Sequence, residues 1–104
     1  MSTSFQFTVI DTFLIEERGL VLSPFFPLDR YRFDGKEHVR VETPSGRVFE
    51  AEADVEIPCV TPKPEVLQAT FVVRAVQKDD IPIGSKVSLP HKTPEQVAAP
   101  NDRH

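Results

Sequence analysis

The stretch Arg47-Val48-Phe49-Glu50-Ala51-Glu52-Ala53-Asp54-Val55-Glu56-Ile57 alternates between apolar and acidic residues with a period of two. One face collects the apolar side chains of Phe49, Ala51, Ala53, Val55 and Ile57. The other collects the carboxylates of Glu50, Glu52, Asp54 and Glu56. Strict alternation of this kind is typical of a strand with one buried and one wet face, which favours antiparallel pairing. The stretch therefore predicts a long strand in an antiparallel sheet.

Shorter runs rich in Val, Ile, Phe and Thr lie on both sides of this strand. Ten prolines and four glycines separate them, and no window keeps apolar residues at helical spacing. The runs predict further strands over 5–10 continuing to 15, over 20–22, 37–43, 66–76 and 86–89. Six or seven strands with short connections indicate an all-β fold, a small antiparallel β-barrel or sandwich. Closure of such a sheet would remove its exposed edges.

The length of 104 residues has room for a single domain. We expect this domain to span residues 1–89. The segment 90–104 is mostly proline, polar or charged, with only Val97-Ala98-Ala99 to bury. It is therefore predicted to be a flexible, disordered C-terminal tail.

Composition limits the location and the partners of the chain. A formal net charge of −4 makes nucleic acid less probable as a main partner, because binding to phosphates requires a basic surface. No apolar run is long enough for a membrane helix, and the N-terminus lacks the pattern of a secretory signal. The single Cys59 cannot form an intramolecular disulfide, which suits a reducing compartment. We expect a cytoplasmic protein.

Two stretches resemble the second domain of the translational GTPases, the β-barrel that follows the nucleotide-binding domain in elongation factor Tu and its relatives. The first is Phe7-Thr8-Val9-Ile10-Asp11-Thr12-Phe13-Leu14-Ile15, with Arg18-Gly19-Leu20-Val21 after it. The second runs from Val73 to Leu89 and contains Asp79-Asp80-Ile81 and Gly84. The resemblance implies a freestanding barrel that covers residues 7 to 89. It departs from the family at Ser23-Pro24, where a glycine is usual, and in the aromatic segment 25–33.

The resemblance implies a fold and does not imply a ligand. The matching positions Arg18, Gly19, Ile81 and Gly84 are turn and packing positions in the family. The chain has no G-x-x-x-x-G-K-[ST] loop to hold phosphates, so GTPase activity does not carry over. In the family, this barrel packs on the GTPase domain and helps to contact tRNA or the ribosome.

The residues that could carry chemistry are few and scattered. Cys59 lies in a proline-rich connector, His38 lies on the wet face of its strand, and His91 and His104 lie in the predicted tail. These positions do not suggest a nucleophile with its base, and the sequence has no metal-binding motif. Glu50, Glu52, Asp54 and Glu56 splay along a strand at about 6.5–7 Å per step, too far apart to chelate one ion. We expect no catalytic, cofactor or metal site.

Two groups of residues are candidates for binding a partner. Phe25, Phe26 and Tyr31, with Phe33, either fill the barrel core or present Phe25 and Phe26 as an anchor on a loop between Pro24 and Pro27. Glu50, Glu52, Asp54 and Glu56 form either a solvated strand face or an acidic docking strip for a basic partner. The sequence leaves both pairs of alternatives open.

Three functions compete at this point. The first is a non-catalytic protein-binding module that acts as an adaptor, a subunit or an inhibitor of another protein. The second is a translation-associated factor that contacts tRNA or the ribosome, which would need a basic patch. The arginines available for such a patch are Arg18, Arg30, Arg32, Arg40 and Arg47. The third is an enzyme with a deep polar pocket of scattered acids. The oligomeric state stays open.

Overall fold

A computed structural model describes residues 4–58 and 61–99 of the chain. Almost every regular element in it is a β-strand, which confirms the all-β prediction. A 3-10 turn covers Lys78–Asp80, and the short helix α1 covers Pro94–Val97. The strands are β1 (Phe5–Thr8), β2 (Asp11–Ile15), β3 (Gly19–Ser23), β4 (Phe26–Pro27), β5 (Lys36–Glu42), β6 (Val48–Glu56), β7 (Gln68–Val73) and β8 (Lys86–Leu89).

The strands form one antiparallel sheet that curls into a barrel. Seven of them follow the order β1-β8-β5-β6-β7-β3-β2, and β4 pairs with β7 beside this path. The two end strands, β1 and β2, are halves of one chain segment that bends at Val9 and Ile10. The Val9 amide donates to the Ser85 carbonyl on the β8 side, and the Ile10 amide donates to the Ser23 carbonyl on the β3 side. This bend joins the two ends of the sheet.

The strand predicted over 47–57 is observed as β6, one residue shorter at each end. It pairs with β5, and the apolar residues of the two strands lie side by side, with Val39 opposite Ala51 and Val41 opposite Phe49. On its other edge β6 pairs with β7, whose residues Ala69 to Val73 are all buried. The predicted alternation in β6 and the predicted burial of both faces of β7 are thus confirmed.

Aromatic rings fill one end of the barrel. Phe26 lies at their centre, with ring centroids 5.0 Å from Phe7, 5.3 Å from Tyr31 and 5.7 Å from Phe5. The remaining contacts of its ring are with Phe33 and Phe71, at 5.7 and 5.8 Å. Most of these pairs meet edge to face, the geometry that the quadrupoles of aromatic rings favour.

Close packing of the β2–β3 hairpin against β7 depends on Gly19. Its backbone has a φ of +137°, and a Cβ atom there would lie 2.6 Å from the carbonyl oxygen of Val73. Only glycine tolerates both this φ and this close approach to Val73 without a shift of the backbone. Gly84, with φ +94°, and the fully buried Ile81 likewise occupy turn and packing positions before β8.

The sequence predicts a flexible tail from residue 90, and within residues 90–99 the structure shows contacts with the barrel. Val97 in α1 is fully buried in the main core, and its carbonyl accepts a hydrogen bond from the Arg32 amide. Lys92 Nζ donates to Glu37 Oε2 at 2.7 Å and to Asp34 Oδ2 at 3.0 Å. One buried valine and these polar contacts fix a segment of otherwise polar composition, so the packed part of the chain extends to Ala99. Residues 100–104 lie outside the described part.

Candidate functional site

The structure separates the aromatic candidates into two groups. Phe26 is buried in the core, and Tyr31 and Phe33 pack against that core. For these three residues the core interpretation is the one observed. Phe25 follows the end of β3 and lies on the outside of the barrel, half-buried. The two residues do not form a joint anchor on the surface, because Phe26 is buried at 7% exposure whereas Phe25 lines the outside of the barrel.

The acidic candidates lie on the outer face of β6, as predicted, and basic side chains accompany most of them. His38 Nε2 bonds to Glu50 Oε1, Arg74 pairs with Asp54, and Arg18 pairs with Glu56. Glu52 is exposed. Three of the four carboxylates thus have a basic neighbour, so β6 presents a row of mixed charge.

The hydrogen bond from His38 lowers the pKa of Glu50 below its usual range. The nearby charges of His38, Arg40 and His91 also lower this pKa. Desolvation raises it, but by less than the hydrogen bond lowers it. The His91 ring lies 5.3 Å from that of His38. This cluster stabilises the carboxylate form of Glu50 on an open surface.

An apolar groove of about 540 Å³ crosses the outer face of β2, β3 and β7. We call it the outer groove. Val21 and Val72, opposite each other in register, are buried at 8% and 2% exposure and lie beneath it. Large apolar side chains beside them stay open to solvent, with Phe13 52%, Ile15 44% and Ile57 51% exposed. Among the described residues, the lining consists of Phe13, Ile15, Arg18, Val21, Phe25, Glu56, Ile57, Pro58, Thr70 and Val72.

A second depression of about 190 Å³ adjoins the outer groove. Phe25 and Pro58 line both, and the smaller one adds Pro64, Leu67 and Gln68. Phe25 therefore lies between two concave apolar surfaces. A contiguous exposed apolar surface of this kind marks interaction sites in soluble proteins, since single exposed apolar residues are common and such groups are not.

Most residues of the outer groove were missed by sequence reasoning. Ile57 was predicted to face the core with the other apolar residues of its strand, which is wrong, because β6 ends at Glu56 and the alternation ends with it. One signal was available in β7, where Thr70 and Val72 alternate with the core residues Phe71 and Val73. A strand that is apolar on both faces in a single-layered barrel needs cover from outside.

The described residues contain no group of three or more His, Cys, Asp or Glu side chains that could hold a metal ion. Among the same residues, no helix has the length and apolar character to cross a membrane. Cys59 and His104 lie outside the described ranges 4–58 and 61–99.

Comparison of the chain with protein-family models, with curated proteins and with solved structures gave no match. The outer groove is therefore interpreted from its own geometry.

Proposed function

We propose that this chain is a non-catalytic protein-binding module that engages its partner through the outer groove. One observation carries the proposal: Phe13, Ile15 and Ile57 stay exposed around a concave apolar floor, while other apolar residues fill the interior of the barrel. Leaving such side chains in water is unfavourable, and a partner that covers them gains the free energy of their burial. An adaptor, a subunit or an inhibitor would each use a surface of this kind.

The proposed site is centred on the outer groove, whereas the candidates from the sequence were the aromatic segment and the acidic row of β6. Phe25 remains in it, and Glu56 forms part of its edge. Phe26 is buried in the core and Tyr31 packs against it, so neither lines the groove. Of the acidic row, Asp54 lies opposite the floor residue Val72, whereas Glu50 and Glu52 line a separate depression.

Affinity capture from an extract of the native cell, split into samples with and without nuclease, tests the function. The matched variants are Phe13→Ser and Ile83→Ser, because Ile83 is 61% exposed and does not line the groove. We expect the wild-type chain to capture one stoichiometric protein, with or without nuclease. Ile83→Ser should still capture this protein, and Phe13→Ser should not. Capture that both variants retain would contradict a role for the groove.

The alternative is a translation-associated factor in the cytoplasm. Its support is the resemblance of two stretches, within residues 7–21 and 73–89, to the second domain of translational GTPases. Two of the five arginines counted for a basic patch, Arg18 and Arg47, form ion pairs with Glu56 and Asp80. Enrichment of tRNA or ribosomal components, with release by nuclease, would favour this alternative.

A further inference from the structure

We propose that the outer groove binds a short segment of a partner protein in which apolar side chains are flanked by lysine or arginine. This inference rests on the proposed function and adds the chemistry of the partner. The apolar lining selects the side chains of the partner that enter the groove. The surrounding charge selects the residues of the partner that flank those side chains.

The size and the lining of the groove suit side chains inserted from a peptide. About 540 Å³ lies within the usual range for sites that enclose a ligand, and the adjoining depression adds about 190 Å³. Phe13 and Ile15 come from β2, whereas Ile57 follows β6, so large apolar residues flank the floor from two sides. The floor itself is made by two paired strands of the barrel and is thus rigid.

The charges beside the groove are predominantly acidic. Two charged residues, Arg18 and Glu56, are found in the described part of the lining, and they pair with each other. The tip of the β2–β3 hairpin adds Glu16 and Glu17, which line a neighbouring depression together with Arg18 and Arg74. Arg74 pairs with Asp54, whereas Glu16 and Glu17 are exposed and form no ion pair among the described residues. The whole chain carries a formal net charge of −4. Complementary charge on a partner is therefore positive, which would speed encounter and disfavour acidic competitors.

Two other occupants fit this charge less well. A nucleic acid would bring phosphates toward Glu16 and Glu17, without the neutralisation that drives such binding. A second copy of the chain would bring the same acidic hairpin, so two grooves facing each other would place like charges together. Both occupants remain outcomes that the experiment below distinguishes.

The test is a selection from a random peptide library displayed on phage, with the full chain immobilised at low salt. Selected peptides are synthesised, labelled with fluorescein and measured by fluorescence anisotropy. We expect enriched sequences to combine two or more large apolar residues with lysine or arginine. We also expect at least tenfold weaker binding to Phe13→Ser and unchanged binding to Ile83→Ser.

Charge reversal tests the second half of the inference. Glu16→Lys adds a positive charge at the hairpin tip, and Glu42→Lys makes the same change at an exposed position of β5, outside the groove lining. We expect Glu16→Lys to weaken the selected cationic peptide several-fold at low salt and Glu42→Lys to have little effect. A peptide of the same apolar residues with glutamate in place of lysine serves as the probe of opposite charge.

The outcomes separate this inference from the proposed function. Enrichment of acidic or uncharged apolar peptides that still need Phe13 would overturn the cationic partner and leave a protein-binding groove in place. No enrichment at all would overturn the inference, while capture of a groove-dependent protein would still support the function. A selected peptide that binds Phe13→Ser normally, or dimerisation lost in Phe13→Ser as measured by light scattering, would also overturn it.

Discussion

Arg18 in the β2–β3 turn and Glu56 at the end of β6 form an ion pair across the outer face of β7, although 38 residues separate them in the sequence. Both side chains line the outer groove. A second surface pair, Arg47 with Asp80, joins other parts of the barrel at 3.2 Å and does not line this groove. The side chains of Arg18 and Arg47 are equally exposed, at 57%. The two pairs therefore provide a matched comparison.

We expect Arg18→Gln and Arg47→Gln each to lower the free energy of unfolding by less than about 1 kcal/mol, because exposed pairs contribute little. Arg18→Gln also leaves Glu56 free to meet a cationic partner. It should tighten binding of a lysine-flanked apolar peptide roughly two- to fivefold, because a new surface ion pair between the peptide and Glu56 contributes a similarly small free energy. Urea unfolding and anisotropy measure the two effects. Equal changes in peptide affinity for both variants would contradict the specific place of Arg18.

The neighbours Phe25 and Phe26 should differ sharply in their effect on stability. Phe26→Ala removes a ring from the centre of the aromatic cluster and should cost about 3–5 kcal/mol. Phe25→Ala should cost about 1 kcal/mol or less, as surface substitutions do, yet weaken partner binding. Urea unfolding of both variants tests the difference. Similar losses would mean that Phe25 also supports the core.

Val97 should stabilise the fold despite its place in a polar C-terminal segment. Val97→Ala removes two buried methyl groups and should cost about 1.5–3 kcal/mol, because each contributes about 0.8 kcal/mol and the cavity left behind adds to this. Val48→Ala, at an exposed position of β6, is the control. In hydrogen exchange, the amides of Arg32 and Ala99 should be protected, since they donate to Val97 and Arg30 carbonyls. Rapid exchange at both amides would contradict attachment of the segment.

The Lys92 contacts predict a dependence of stability on alkaline pH. Partial burial disfavours the charged amine, but hydrogen bonds to Glu37 and Asp34 outweigh it and raise the pKa of Lys92. A pKa raised by folding means that protonated Lys92 stabilises the native state below the ordinary lysine pKa. This contribution is lost as pH rises through the raised pKa.

Lys92→Gln should therefore lower the free energy of unfolding at neutral pH and reduce its decline at alkaline pH. Urea unfolding between neutral and strongly alkaline pH measures both effects. Lys36→Gln, at an exposed lysine of β5 outside the ion pairs of the described residues, is the control. Identical pH profiles for wild type and Lys92→Gln would show that the contacts with Glu37 and Asp34 contribute nothing.

Local patterns predicted the strands well because strand formation leaves a local trace. The alternation of Phe49, Ala51 and Ala53 with acidic residues reflects the two faces of β6, and the structure repeats it residue by residue. The Arg18-Gly19 turn was also visible, since a glycine between apolar runs signals a hairpin. The two-residue strand β4 and the helix α1 escaped notice, because elements this short have no period to detect.

The candidate site could be predicted only in part. Phe25 and the face of the acidic row followed from composition and alternation. The choice between core and surface for Phe25 and Phe26 depended on β4, which pairs with β7 and turns Phe26 inward. The outer groove joins residues from β2, β3, β7 and the end of β6, which the strand order β6-β7-β3-β2 places side by side.

The sequence by itself determined the all-β class, the positions of the long strands, and the wet face of β6, because alternation and turn residues act over a few neighbouring positions. The tertiary structure alone decided that Val97 is buried, that Arg18 meets Glu56, and that Phe13 and Ile57 flank one groove. Those contacts join residues far apart in the chain. They form because β6, β7, β3 and β2 lie side by side in the sheet and because residues 97–99 form hydrogen bonds with Arg30 and Arg32.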